Sequence, residues 1–363
     1  MIRMLSKEDL IRIKEILDRS QRPLYFFDDD PDGLSSFLLF YRYIRNGQGV
    51  PIKSSPELSR QYISKVENYS PDLVIVLDKP QISHEFFDAV NVPILWIDHH
   101  EVQTENLKKN VKRDDVYYFN SRPTKDGYGE PTSYICFNVL KEERFEDLWI
   151  AMTGFVGDWF LPEKELVTEF ARQYPDIMSK MPSTPQEALF ENRIGEIVRV
   201  FSFLQKGTMS EVKKNIKILT RVDSPYEMLD GKSSAGRLLF KFYSERKSEY
   251  DALMEAALAT VDDSKIFVFR YKESNNSYTS DISNELLYRF PEKMIIIARE
   301  KSDEIRMSLR SSKIKIPEIL NKALEGLDGY GGGHEYACGC NVKEKDFETF
   351  VSRLKEIISG FGN

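Results

Sequence analysis

Apolar and polar positions alternate in blocks along the first hundred residues, and these blocks predict strands and helices in turn. The run at 73–77, Leu-Val-Ile-Val-Leu, is continuously apolar, which is typical of a strand buried on both faces of a parallel sheet. Shorter apolar runs predict further strands at 24–27, 50–53 and 92–97. Helices are predicted between them, over about 35–45, 57–67 and 84–89. This alternation indicates an α/β domain with a doubly wound parallel sheet.

The pattern becomes mostly helical between about residues 132 and 250, with a break at the proline-rich stretch 182–185. Strands return at 266–271, 294–298 and 305–309, and helices are predicted near 280–289 and 345–359. We therefore predict three parts: the doubly wound domain over 1–185, a helical connector over 186–255, and a smaller α+β domain over 256–363.

Composition narrows the classes of protein that the chain can represent. Its 363 residues include 51 Lys+Arg and 58 Asp+Glu, a net charge of −7, so bulk charge does not favour polyanions and any nucleic-acid contact needs a local basic site. No apolar run is long enough to cross a membrane, and the acidic residues near the N-terminus do not fit a secretory signal. Three cysteines suit a reducing compartment. We expect a cytoplasmic protein without a membrane partner.

Three of the predicted strands run directly into acidic residues. The first ends in Asp28, Asp30 and Asp32, the second at Asp78, and the third at Asp98-His99-His100. The carboxyl ends of parallel strands meet at one edge of a sheet, so these groups are expected to converge there. Clustered carboxylates repel one another, and a pair of divalent cations would remove that repulsion. Carboxylates with imidazoles suit Mn²⁺ or Mg²⁺, although any single aspartate here could equally be a helix cap or turn residue.

A fourth acidic candidate is Asp158, which follows an apolar helix predicted over about 148–156. Considered alone, it is typical of a residue in the turn that ends a helix.

The C-terminal region contributes the glycine-rich segment 329–334, Gly-Tyr-Gly-Gly-Gly-His. Such a segment lets backbone N–H groups approach a phosphate and form an anion nest, with His334 as a further donor; the alternative is a flexible turn. Upstream, strand alternation places Arg306, Ser308 and Arg310 on one face. A guanidinium there could bind phosphate in bidentate fashion, or the face could simply be solvated.

These motifs, taken in order, resemble those of the DHH–DHHA1 phosphoesterase family, and within it the RecJ-like exonucleases of the archaeal type. Motif I corresponds to Asp28-x-Asp30-x-Asp32-Gly33-x-x-Ser36, motif II to Asp78, and motif III to Asp98-His99-His100. Asp158 falls at the place of motif IV, and the C-terminal motif corresponds to Gly332-Gly333-His334-x-x-Ala337-x-Gly339. The resemblance covers most of the chain.

The resemblance implies a DHH catalytic, metal-binding domain over 1–185 and a DHHA1 substrate-binding domain over 256–363. It also implies two Mn²⁺ or Mg²⁺ ions: one held by Asp28, Asp30 and Asp78, the other by Asp32, Asp78, His99 and Asp158, with Asp78 bridging. His100 would contact the scissile phosphate. The nucleotide would be held from the other side of a cleft by Arg310, Gly332, Gly333 and His334.

The chain departs from the family pattern at one position. Many members carry a histidine four residues before the second aspartate of motif I, where this chain has Phe26. Phe26, Asp28 and Asp30 share a strand face, so Asp28 can compensate for the missing imidazole.

The expected activity is metal-dependent hydrolysis of single-stranded DNA or RNA from an end, in DNA repair or replication. A rival hypothesis within the family is a nano-RNase or 3′-phosphoadenosine phosphatase acting on short substrates. A non-enzymatic hypothesis is a scaffold subunit of a replication complex, because archaeal relatives bind the GINS complex and a eukaryotic helicase subunit related to RecJ has lost its catalytic motifs.

Overall fold

The computed structural model describes residues 5–53, 56–101, 113–122, 129–272 and 276–359. The chain packs as two compact units, Met1–Tyr243 and Ser244–Asn363. The boundary between them falls inside the long helix Ser234–Leu258. The three-part division at residues 185 and 255 stays a prediction from the sequence.

The first unit is built on a five-stranded sheet whose strands all run parallel, in the order β2-β1-β4-β6-β7. The strands are β1 Pro23–Asp28, β2 Gln48–Ile52, β4 Leu73–Leu77, β6 Ile94–Asp98 and β7 Val116–Asn120. The predicted parallel α/β architecture is therefore confirmed, while β7 was not predicted. The strand order reverses at β1, and such a switch point is where open α/β sheets bind ligands.

Helices alternate with these strands and continue into the helical region. They are α1 Lys7–Arg19, α2 Pro31–Ile44, α3 Ile63–Tyr69, α4 His84–Ala89, α5 Thr132–Leu140, α6 Leu148–Gly157, α7 Lys164–Gln173, α8 Pro185–Glu191, α9 Ile194–Leu204, α10 Met209–Leu219, α11 Pro225–Leu229 and α12 Ser234–Leu258. Among the described residues, no helix has the length and apolar character needed to cross a membrane.

Apolar side chains cover both faces of the parallel sheet. On one face, Phe26 is fully buried and contacts Phe86 edge to face, with 5.7 Å between ring centroids. On the other face, Phe27 stacks on Phe37 of α2 at 4.7 Å. Phe26 therefore belongs to the hydrophobic core, which explains how an apolar residue is accommodated two positions before Asp28.

The prediction of a helix over 57–67 is wrong for the first half of this segment. Glu57–Leu58 forms the short strand β3, which pairs in parallel with Gln81–Ile82, β5. The α-helix begins only at Ile63, after a 3₁₀ turn at Arg60–Tyr62. Leu58 is fully buried, so tertiary pairing overrides the helical pattern of this segment.

The second unit contains a mixed five-stranded sheet in the order β11-β12-β10-β9-β8, parallel only between β8 and β9. Its elements are β8 Ile266–Tyr271, α13 Thr279–Arg289, β9 Met294–Lys301, β10 Glu304–Arg310, α14 Ile316–Leu324, β11 Gly329–His334, β12 Ala337–Lys343 and α15 Phe347–Ser359. Apolar residues of the sheet pack against α14 and α15 in one core. The predicted smaller α+β domain is confirmed.

Candidate metal centre

The turn between β1 and α2 places the aspartates of the first motif. Asp28 is the last residue of β1, and Asp30 is the N-cap of α2, where its Oδ1 accepts a hydrogen bond from the N–H of Gly33 at 2.8 Å. A Cβ at residue 33 would lie 2.6 Å from the carbonyl oxygen of Asp28. The close approach of strand and helix therefore requires glycine at this position.

Asp32 lies in the first turn of α2 and is fully buried. Its two carboxylate oxygens accept hydrogen bonds from the N–H groups of Thr132 and Ser133 at the start of α5, both at 2.9 Å. The Ser133 hydroxyl also donates to this carboxylate. These donors orient Asp32 and stabilise its charged form.

Asp78 follows β4 and adopts a left-handed backbone conformation, with φ of 59°. Its N–H donates to the carbonyl of Ile97 at 2.9 Å, which ties the residue to β6. The Oδ1 atom is buried and accepts no hydrogen bond from any described residue. It faces Nε2 of His99 at 3.3 Å and Nδ1 of His100 at 3.7 Å. A buried carboxylate oxygen that accepts no hydrogen bond is typical of a ligand site.

The histidine pair follows β6, which ends at Asp98. His99 lies between two carboxylates, because its Nδ1 is 3.6 Å from Oδ2 of Asp158 while its Nε2 faces Asp78. The Nδ1 of His100 is 2.8 Å from Oδ1 of Asp98. Asn120 in turn donates to Oδ2 of Asp98 at 3.3 Å. Asp98 is thus a positioning residue that orients the His100 ring.

Asp158 immediately follows α6, whose residues are almost all buried. The structure therefore brings together all six acidic or histidine residues that the sequence nominated as metal ligands. With His100 added, their ligand atoms form three overlapping sets, and the atoms of each set lie within 4.8 Å of one another: Asp28–Asp30–Asp78, Asp32–His99–Asp158 and Asp78–His99–His100.

Burial and mutual repulsion shift the pKa values of this cluster. Burial, reinforced by the charge of Asp78, raises the pKa of Asp30 and Asp32 well above the usual range. The same causes raise the pKa of Asp28 to about 6, and burial raises the pKa of Asp158 to about 6 despite nearby His99. Repulsion of this kind is what a bound cation relieves.

At Asp78 and His99 the pKa shifts favour the charged form of the side chain instead. Burial opposes ionisation of Asp78, but the close contact with the imidazole of His99 and the charge of that ring outweigh burial and lower the pKa of Asp78 to about 2. Burial likewise opposes a charged His99, yet Asp158 and Asp78 hold the pKa of its ring well above the usual value. The anionic Asp78 is accordingly the centre of the cluster's negative charge.

The donor set fits a hard divalent cation. It comprises five carboxylates and one or two imidazoles, and it includes the buried Oδ1 of Asp78. Such ligands suit Mn²⁺ or Mg²⁺. The set has no thiolate and is richer in oxygen than a structural zinc site.

Sequence reasoning missed one residue of this site. Lys79 is almost completely buried, with 1% of its surface exposed, and its Nζ lies 2.7 Å from Oδ1 of Asp28. The only signal in the sequence was its position directly after Asp78. Its contact with Asp28 depends on strand pairing, which is a tertiary interaction that the sequence pattern does not reveal.

The glycine-rich segment of the second unit differs from its prediction. It is neither an anion nest nor a flexible turn, because Gly329–His334 forms the edge strand β11, paired with β12. Gly333 has φ of 147°, and a Cβ there would lie 2.4 Å from the carbonyl of Ala337. Close packing in the hairpin therefore explains this glycine.

The remaining predicted substrate residues lie on or beside this sheet. Gly332 is exposed, pairs with Gly339, and has open space where a Cβ would point. His334 is exposed at the end of β11. Arg310 ends β10, where its Nε donates to Oδ1 of Asn284 at 2.7 Å, and burial lowers the pKa of its guanidinium. Alternation along β10 keeps Arg306, Ser308 and Arg310 on one face, as predicted.

Two family models match the chain. The model of the DHH family, N-terminal domain, matches residues 24–154, and the model of the DHHA1 domain matches residues 263–360. No curated protein matches the chain.

Solved structures share the fold at low sequence identity. RecJ from Thermus thermophilus, in complex with Mn²⁺, is 17% identical with a TM-score of 0.69, and the match covers 100% of this chain and 56% of that one. CDC45 from Entamoeba histolytica is 10% identical with a TM-score of 0.54, covering 95% and 96%. The pGpG-specific phosphodiesterase PggH from Vibrio cholerae is 14% identical with a TM-score of 0.51, covering 94% and 99%.

This chain thus spans little more than half of the Thermus protein. Identities this low establish a shared fold, and the family assignment rests on the two domain models. They match the two compact units in order and together span well over half of the chain. The chain therefore belongs to the DHH–DHHA1 family.

Proposed function

We propose that this protein is a metal-dependent phosphodiesterase that hydrolyses single-stranded nucleic acid from an end, as RecJ-like exonucleases do, in DNA repair or replication. The observation that carries the proposal is the buried carboxylate of Asp78, which belongs to two of the three ligand sets and whose Oδ1 accepts no hydrogen bond from the described residues. The fold shared with RecJ supports it.

Each ligand set has a definite part in this proposal. Asp28, Asp30 and Asp78 would hold one Mn²⁺ or Mg²⁺ ion, while Asp32, His99 and Asp158 would hold the other together with Asp78. When bound, such ions lower the pKa of a water molecule and offset charge that builds on a phosphate. The protein holds its ligands in place beforehand, through Gly33, Thr132 and Ser133.

His100 would contact the scissile phosphate. Burial lowers the pKa of its ring, but the hydrogen bond with Asp98 outweighs burial and raises it. Because Nδ1 is engaged by Asp98 at 2.8 Å, Nε2 is the nitrogen left to donate to a phosphate oxygen. A cationic ring there complements the negative charge of the substrate.

In the second unit, Arg310, Gly332, Gly333 and His334 would hold the nucleotide. The open space above Gly332 and the donors of Arg310 and His334 suit a phosphate or sugar. This role gives a sharp expectation for Gly332→Val.

Gly332→Val should leave stability nearly unchanged and raise the KM for substrate at least about tenfold. No atom lies within 4 Å of the added Cβ, and valine is favoured in strands, so only a ligand would meet the new side chain. Steady-state kinetics and a thermal melt measure the two effects. Unchanged KM in a stable variant would remove Gly332 from the binding surface.

A second candidate function is hydrolysis of very short oligonucleotides. It is favoured by the match to PggH, which covers nearly all of both chains, whereas the match to Thermus RecJ covers about half of that protein.

A replication partner such as GINS is a further part of the proposal, and the fold shared with CDC45 supports it. Partner binding and hydrolysis are compatible, so activity must be measured directly.

The deciding experiment is an assay of single-stranded DNA and RNA, labelled at either the 5′ or the 3′ end, from dinucleotides to long strands. Degradation of long strands from one end, dependent on Mn²⁺ and abolished by EDTA, is the expected result. Rapid turnover of dinucleotides with no action on long strands would establish the second candidate instead. No hydrolysis of any length in Mn²⁺ or Mg²⁺ would overturn both.

A further inference from the structure

A buried lysine lies inside one of the two proposed cation subsites. Lys79 directly follows Asp78, and its backbone carbonyl accepts a hydrogen bond from Nε1 of Trp96 at 2.7 Å. Its ammonium bonds Oδ1 of Asp28 at 2.7 Å, while 25% of the Asp28 side chain is exposed. A lysine is almost never fully buried unless its charge is paired. The ammonium is therefore held within the Asp28–Asp30–Asp78 set.

The other ligand set has a different environment. Among the described residues, neither Asp32 nor Asp158 forms an ion pair with a lysine or arginine, because Asp32 is held by N–H and hydroxyl groups and Asp158 faces His99. Because histidine binds a metal ion in its neutral form, this set keeps no fixed positive charge when its ion is bound. The two proposed cation subsites, which would share Asp78, thus differ by the one positive charge of Lys79.

The core position of Phe26 increases this difference. The first set contains only carboxylates, and Phe26, on the same strand face as Asp28, packs against Phe86 and offers no nitrogen ligand. One of the three carboxylates is already bonded to Lys79. The second set retains the imidazole of His99. Its two carboxylates lie at helix ends, Asp32 in the first turn of α2 and Asp158 directly after α6.

We propose that Lys79 makes the two cation subsites unequal. Its ammonium occupies a lone pair of Asp28 and repels a divalent cation, so that the Asp28–Asp30–Asp78 set binds its ion weakly. The set of Asp32, His99 and Asp158 with Asp78 binds its ion tightly. Lys79 is thereby a positioning residue that sets the affinity for the second ion, an inference that rests on the proposed function.

The physical basis is direct charge repulsion at short range. A charge of +1 within a few ångströms of a +2 ion opposes binding, and it does so strongly here because the Lys79 side chain that carries it is almost completely buried. The negative charge of a substrate phosphate would offset that repulsion, so the weakly held ion would bind best together with substrate. The tightly held ion would be retained between turnovers.

The test is a titration of the full-length protein with Mn²⁺, in which the EPR signal of free Mn²⁺ reports binding. The wild type should bind one ion tightly and a second at least about a hundredfold more weakly. In Lys79→Met the second ion should tighten at least about tenfold, because the repulsion is lost and Asp28 is released. Damage to the fold would loosen binding, so a gain in affinity is specific to the proposal.

Three further variants complete the experiment. Lys79→Arg keeps the charge and should keep the second ion weak, whereas Lys79→Met with Asp28→Asn should lose the gain. Lys53→Met is the matched control, because it also removes one positive charge. Lys53 is a half-buried residue just beyond β2, and its Nζ donates a hydrogen bond to the carbonyl of Gly207 at 2.6 Å. It should leave both affinities unchanged.

Two equally tight ions in the wild type would overturn the inference without any variant, and nuclease activity in that protein would leave the proposed function standing. Equal gains in Lys79→Met and Lys53→Met would also overturn it, because net charge alone would then explain the effect. If the wild type bound no Mn²⁺ and hydrolysed nothing, the proposed function itself would fail.

Discussion

Asp78→Asn should lower kcat for phosphodiester hydrolysis at least about a thousandfold. Asparagine preserves the volume of the side chain and tolerates the left-handed backbone, whose φ is 59°. It removes the negative charge that belongs to two of the three ligand sets. Both cation subsites should therefore weaken together, and the Mn²⁺ titration should show a loss at each.

The matched control is Asp72→Asn, in the same unit. Asp72 accepts hydrogen bonds from the Ser20 hydroxyl and the Gln21 N–H, both at 2.6 Å, and belongs to none of the ligand sets. Its kcat should equal that of the wild type. Activity within about tenfold of wild type in folded Asp78→Asn would rule out the proposed role of Asp78.

Arg42→Met should lower the free energy of unfolding of the first unit by about 3 kcal/mol. Arg42 is buried in α2, and its guanidinium bonds Asp147 at 2.8 Å, the carbonyl of Val222 at 2.8 Å and Asp223 at 3.0 Å. Methionine fills similar volume but leaves these acceptors without their donor. Arg144 still pairs with Asp147 at 2.9 Å, which keeps the loss at the lower end for a broken buried ion pair.

The three tryptophans of the chain, at 96, 149 and 159, all lie in the first unit. Urea unfolding followed by tryptophan fluorescence therefore reports on that unit. Arg172→Met is the matched control: Arg172 is exposed and pairs with Glu169, so its loss should change stability by less than about 0.5 kcal/mol. Equal effects of the two variants would contradict the buried network's role.

Arg42 also matters for the site, because of the helices it joins. It lies in α2, which begins at the aspartates of the first motif, and it bonds Asp147, at the N-cap of α6. Asp158 follows the other end of α6. Loosening this contact should therefore reduce the affinity for Mn²⁺ as well as stability.

The convergence of Asp28, Asp78 and His99 could be predicted from sequence because it needs only the order and direction of strands. Once buried strands alternate with helices, their carboxyl ends must meet at one edge. The position of Asp158 depends instead on how α6 packs against α2, which periodicity does not reveal. A resemblance between motifs located it, where the pattern alone favoured a turn.

The glycine-rich segment and Lys79 show where such reasoning stops. Glycines have no side-chain pattern, so the strand Gly329–His334 could not be separated from a loop; pairing with β12 decides its conformation. The bond between Lys79 and Asp28 joins residues 51 positions apart. A lysine beside a motif aspartate is ordinarily a surface residue.

The left-handed backbone at Asp78 restricts which replacements this position can accept during evolution. Only glycine, asparagine and aspartate adopt that conformation at little cost, while a β-branched side chain would be strained there. A descendant that gave up hydrolysis and kept the fold would therefore drift toward asparagine or glycine at this point. Such a residue in a homologue would mark lost chemistry without lost architecture.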